Sequence, residues 1–135
     1  MERMLTPEEL AQKAVEAKSK GLPTYSNFHV GAALLAESGK VYLGANIETS
    51  SYSLTICAER TAVFQAILNG ERKFKSIAIA SDAEDFCPPC GACRQVLLDL
   101  CGKELEVILV NKKNELKTFL LKELIPYSFS GEFLK

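Results

Sequence analysis

The chain has 135 residues, 47% of them apolar and 24% charged, with a formal net charge of −1. This is the size and composition of one globular domain with its own core, and a near-neutral charge argues against a nucleic-acid partner, which calls for a concentrated basic face. No run approaches the roughly 20 apolar residues that span a bilayer, and Met1 to Leu10 has charges but no apolar signal core, so no membrane contact and a cytoplasmic location are expected.

Thr6-Pro7-Glu8-Glu9 reads as a helix start, with Thr6 as N-cap, Pro7 at the first helical position and acids in the first turn. Leu10, Ala14 and Ala17 give this helix a buried stripe, and Gly21 and Pro23 end it. Val30 to Leu35, the turn Glu37-Ser38-Gly39 and Val41 to Leu43 read as a β-hairpin. Cys57 to Leu68 has helical spacing and stops at Asn69-Gly70. Ser76 to Ala80 reads as a strand, Gly91 to Leu100 as a helix stopped by Gly102, and Leu105 to Val110 and Leu116 to Leu120 as the last strands. This order predicts a single domain over 1–135 of the α/β class, a mixed sheet with helices packed on its faces.

The five cysteines are Cys57, Cys87, Cys90, Cys93 and Cys101. In a reducing compartment, clustered cysteines point to metal or catalysis rather than to a disulfide framework. Two overlapping C-x-x-C readings arise. Cys87-Pro88-Pro89-Cys90 as a redox pair needs a helix running from Cys87, which the prolines disfavour. Cys90-Gly91-Ala92-Cys93 as metal ligands needs a helix starting after Pro89, which places both sulfurs on one side of the first turn. The metal reading is preferred over redox chemistry and over unligated core cysteines. Cys57, at another helix start, is the best third ligand. Cys101 is assigned to the core, His29 to a structural role and Cys87 to no role. Three protein ligands leave an open fourth position, the arrangement of a catalytic zinc. Glu59 is the candidate proton carrier, reaching the site only if Cys57 lies at the irregular start of its helix. Arg60 is placed to donate hydrogen bonds to a thiolate and offset the negative charge of three thiolates around one Zn²⁺.

Cys57-Ala58-Glu59 followed by Pro89-Cys90-Gly91-Ala92-Cys93 resembles the zinc-deaminase signature. Cysteine rather than histidine in first place is similar to the small homotetrameric cytidine deaminases. Further segments resemble that family: Tyr25 to Leu34, Gly44-Ala45-Asn46-Ile47-Glu48, Arg94-Gln95 and Leu124 to Phe129. The resemblance implies a three-layer α-β-α fold with a mixed five-stranded sheet and one Zn²⁺ per subunit held by Cys57, Cys90 and Cys93. It implies Glu59 as proton shuttle and Phe28 against the pyrimidine ring. Asn46 and Glu48 of the Asn46-Ile47-Glu48 segment would bind the ribose, and backbone near Ala58 the base. Tyr52 and Phe129 would approach a neighbouring subunit's site in a homotetramer. The implied activity is hydrolytic deamination of cytidine and deoxycytidine with release of ammonia, in pyrimidine salvage. Thr49 departs from the family, which commonly has Asn there. The rival readings are deamination of a related nucleoside such as blasticidin S, a non-catalytic protein of deaminase fold, and a structural-zinc module that binds nucleic acid; the last would need a fourth protein ligand and a basic face.

Overall fold

Short capping and turn signals set where the elements begin. The computed structural model describes residues 4–134, so the first three residues of the Met1–Leu10 stretch lie outside it. Helix α1 spans Pro7–Ala17 behind a reciprocal cap, in which Glu9 N–H donates to Thr6 Oγ1 (3.2 Å) and Thr6 N–H donates to Glu9 Oε1 (2.9 Å). A 3₁₀ turn over Lys18–Lys20 extends it to Gly21. Strands β1 (Val30–Ala36) and β2 (Val41–Ala45) form the hairpin. Helix α2 covers Ala58–Leu68, β3 Phe74–Ser81, α3 Gly91–Cys101, β4 Glu106–Val110 and β5 Leu116–Leu120. One further turn of helix, α4 (Leu121–Leu124), follows β5 directly and buries Leu121. The sequence does not signal it, because four residues are too few to carry a helical period.

The five strands make one mixed sheet in the order β2-β1-β3-β4-β5. Only β3 and β4 are parallel, as the α3 crossover between them requires. Alternation along β1 and β3 divides the core. Ala33, Leu35, Ala78 and Ala80 face α1, packing on Leu10, Ala11 and Ala14. Ala32, Leu34, Ile77 and Ile79 face the other way, onto Ala58, Ala62, Val63 and Ala66 of α2 and Leu97 of α3. The result is the expected three-layer α-β-α arrangement.

Two glycines let the helices press close. A Cβ on Gly44 would sit 2.2 Å from the Ala58 carbonyl oxygen, and one on Gly31 would sit 2.2 Å from that of Ala14. Thr61 Oγ1 fastens α2 further, accepting from Ala45 N–H at 3.1 Å. Helices α2 and α3 both start at the carboxyl ends of the strands before them, β2 and β3, so their N-termini meet at one edge of the sheet. Crevices at that edge are where open α/β sheets bind ligands.

Candidate active site

Cys57 is the N-cap of α2 and Cys90 the N-cap of α3; both have extended backbones, with ψ of 156° and 166°. Cys93 follows in the first turn of α3. The three sulfurs lie within 4.8 Å of one another, and Cys90 and Cys93 Sγ are 3.4 Å apart. A tetrahedral zinc with Zn–S bonds near 2.3 Å sets its sulfurs about 3.8 Å apart, so the cluster brackets the spacing such an ion needs. Among the described residues, no fourth side chain joins the group. Neither helix has a side-chain cap, which leaves the positive ends of two 11-residue helices beside the thiolates.

Arg60 lies one turn into α2, and its Nη2 donates to Cys57 Sγ at 3.5 Å and to the Thr55 carbonyl at 3.4 Å. Among the protein groups alone, Cys57 is pulled down to about 5, first by a hydrogen bond from the Cys93 thiol, against burial, with help from Arg60. The same hydrogen bond, followed by burial, holds Cys93 far above the ordinary thiol range. One thiolate is therefore favoured before any cation arrives. A divalent cation deprotonates the other coordinating thiols outright.

Glu59 occupies the second helical position of α2 and is only 4% exposed. Burial, joined by the negative charge on Cys57, pushes its carboxyl up to about 7. Because Cys57 is extended and outside the helix, the two-residue offset no longer carries Glu59 to another side. Both residues line one cavity of about 260 Å³, together with Val30, Asn46, Ala58 and Cys90. A carboxyl that titrates near neutrality beside a metal-binding sulfur cluster can both accept and donate a proton.

Residues 4–109 match the family model "Cytidine and deoxycytidylate deaminase zinc-binding region". The chain belongs to this deaminase family. Among its relatives, a cytidine deaminase of Sporosarcina psychrophila is 46% identical over 94% of this chain and 93% of its own length. One from Halalkalibacterium halodurans is 45% identical over 91% of this chain and 93% of its own. In solved structures, the cytidine deaminase of Burkholderia pseudomallei superposes with a TM-score of 0.90 at 42% identity, covering 93% of this chain and all of that one (100%). The Mycobacterium tuberculosis enzyme gives a TM-score of 0.78 at 34% identity, over 89% of this chain and 94% of that one. The fold of this deaminase-family chain is thus that of the cytidine deaminases, and the cluster of Cys57, Cys90 and Cys93 is compatible with a zinc ion.

The remaining site candidates divide. Asn46, Glu48 and Ala58 line the cavity. Ile47 turns away, into a groove with Lys20, Leu43, Thr61 and Gln65, because its backbone is tied to Ile56 in both directions at 3.0 Å. Phe28 is half-buried beside the cavity but not in its lining. Tyr52 and Phe129 are 62% and 57% exposed and stand outside it; Tyr52 meets Tyr25 edge-on and Phe129 stacks on Phe133. Cys101 packs against the core, as expected. Cys87 stays out of the sulfur cluster, as the prolines require, and lines the cavity with Pro88, where burial raises its thiol pKa. The signal available was position alone, since a segment leading into a metal-ligating helix has to pass the site. Arg94 and Gln95 belong to the segment that resembles the family. Here Arg94 donates to the Pro89 and Leu124 carbonyls at 2.7 and 2.6 Å and Gln95 to Phe129 O at 2.9 Å, fixing the start of α3 to the C-terminal segment.

Proposed function

We propose that this chain deaminates free cytidine and deoxycytidine by hydrolysis, releasing ammonia, and serves pyrimidine salvage in the cytoplasm. The observation that carries the reading is the buried carboxyl of Glu59 opening into the same small cavity as Cys57 and Cys90. When bound by Cys57, Cys90 and Cys93, zinc supplies a hydrolytic nucleophile at neutral pH by acidifying water. Glu59 takes up the proton released, delivers it to the ring nitrogen next to the reacting carbon, then takes the second proton from the hydroxyl added to that carbon and delivers it to the departing amine. Arg60 holds Cys57 in its charged form. Ala58 offers backbone to the base. Asn46 and Glu48 have capacity left for sugar hydroxyls. The Asn46 amide spends one oxygen lone pair on Val30 N–H (3.1 Å) and one N–H on the Phe28 carbonyl (2.8 Å), leaving one of each. Hydrogen bonds from Ser26 hold the Glu48 carboxyl below the usual range, so it stays an acceptor.

Cavity size supports a free nucleoside. At about 260 Å³ it falls below the roughly 300–1,000 Å³ of drug-sized pockets, a scale that suits one base and sugar. Exposed Tyr52, Phe129 and Phe133 are aromatic surface of the kind buried between subunits, which supports a homotetramer whose sites draw on neighbouring chains. Phe28 would meet the pyrimidine ring once a substrate enters beside Val30. None of the described helices is long and apolar enough to cross a membrane.

The test is to incubate the purified protein with cytidine, deoxycytidine, cytosine, CMP and adenosine and to follow the ultraviolet change. Turnover of the two pyrimidine nucleosides alone is expected. Turnover of cytosine or CMP without the nucleosides would overturn the sugar argument.

A further inference from the structure

Strands β1 and β3 stay paired as far as Val30 and Ser81, where the ladder stops. The next pair along it would be His29 and Asp82. There the Asp82 carboxylate replaces the backbone: its Oδ2 accepts from His29 N–H at 2.8 Å and meets ring Nδ1 at 2.9 Å. Its Oδ1 lies 3.4 Å from Nζ of Lys18, just past α1, and that ammonium also donates to the Ser81 carbonyl. Partial burial works against the charge, yet the bonds from His29 and Lys18 hold Asp82 below the usual carboxylate range. One side chain therefore gathers the ends of β1, β3 and α1.

The two strand ends that it joins are walls of the cavity, since Val30 and Ser81 both line it. The segment leading into Val30 is held residue by residue. Phe28 N–H donates to Ser26 Oγ at 3.0 Å, and Asn46 holds the Phe28 carbonyl and the Val30 N–H. His29 is the link between those two points, and Asp82 is what holds it. Asp82 itself does not line the cavity, so it has no direct route to the reacting atoms.

We infer that Asp82, acting through His29, is a positioning residue that fixes the Phe28–Val30 segment, and with it the cavity wall at Val30, and so sets how tightly the nucleoside is held, without entering the chemical step. This rests on the nucleoside reading above. The wall is the same in the ground and transition states, so losing it removes uniform binding, which raises KM and leaves kcat.

The experiment compares full-length, zinc-loaded wild type with Asp82→Ala, His29→Ala and His29→Gln. Cytidine turnover gives KM and kcat, calorimetry gives the affinity for the product uridine, and metal analysis gives zinc content. Asp82→Ala is expected to raise KM about tenfold, equivalent to 1.4 kcal/mol, with kcat held within about twofold. Uridine affinity should fall by the same factor, at unchanged zinc content. His29→Ala keeps its backbone bond and should show a smaller rise, which His29→Gln, whose amide also donates, should largely restore. Unchanged KM and uridine affinity in both alanine variants would overturn the inference, as would a loss carried by kcat alone. If Asp82→Ala does not fold, the His29 pair decides alone. A wild type that leaves cytidine untouched defeats the nucleoside reading itself, whereas an active wild type with unmoved variants defeats only this inference.

Discussion

Gly44→Ala should loosen the metal centre from outside it. The added methyl would lie 2.2 Å from the Ala58 carbonyl oxygen and 2.6 Å from both Ala62 N and Thr61 Oγ1. Carbon contacts are comfortable at about 3.5–4.0 Å, and two of these three atoms are helix backbone with no rotamer to escape into. The first turn of α2 has to move outward by roughly 1 Å, and that turn carries Glu59 beside the N-cap Cys57. Overpacking of this kind costs about 1–3 kcal/mol. For a chain of this length that is a fall in Tm of roughly 3–15 °C. A misplacement near 1 Å at a catalytic constellation costs about 100-fold in rate, so kcat/KM for cytidine should drop by that order, with weaker zinc retention. Calorimetric melting, competition for zinc with a chromophoric chelator, and steady-state turnover measure the three effects. Gly31→Ala is the control: its methyl meets Ala14 O at 2.2 Å and Lys18 N at 2.6 Å, on the opposite face. It should lower Tm comparably and keep zinc affinity. A Gly44→Ala protein with wild-type melting and zinc affinity would refute the close-packing argument, and equal zinc loss in both variants would refute the claim that α2 transmits it.

Glu59→Gln should keep its zinc and lose at least the roughly 10²–10⁴-fold that general acid–base help supplies; near wild-type ammonia release would remove Glu59 from the chemistry. Cys57→Ala should lose zinc as well as activity, so full metal occupancy by mass spectrometry would contradict its place in the cluster. Prolonged chelation of the wild type should abolish turnover, and added zinc should restore it. At the other end of the sheet, Glu71 Oε2 accepts from Ser38 Oγ and Tyr42 Oη, both at 2.8 Å, and these bonds lower its pKa in the folded state. Its contribution is therefore complete above the unfolded carboxylate value near 4.3 and lost as pH falls through the lower folded value. Glu71→Gln should melt below the wild type at neutral pH, and the gap should close in acid; a gap of constant size across that window would show that ionisation plays no part.

The sequence disclosed the parts of this protein whose causes are local. The cap at Thr6 and Glu9 needs only residues three apart. The start of α3 at Cys90 follows from proline chemistry at Pro88 and Pro89, and with it the pairing of Cys90 and Cys93 on one turn. Short apolar runs, turn signals and helical spacing located the five strands and three of the four α-helices among the described residues, with ends shifted by a residue or two where fraying and caps compete. Those motifs sufficed to place the chain among the zinc deaminases.

Other features depended on how distant segments meet, and no pattern within one segment encodes that. Glu59 was two residues from Cys57 on paper, an offset that separates faces of a regular helix. Only the extended backbone at Cys57 puts both into one cavity, and the carboxyl is lifted to about 7 by burial that exists only in the folded chain. Ile47, between two cavity residues, was turned outward by its bridge to Ile56. Cys87 was brought into the cavity wall although it ligates nothing. The type and spacing of the ligands were thus written along the chain. Their convergence at one sheet edge, and the proton affinity of the carboxyl among them, are properties of burial and long-range contact, which exist only once the sheet has closed the two helix ends together.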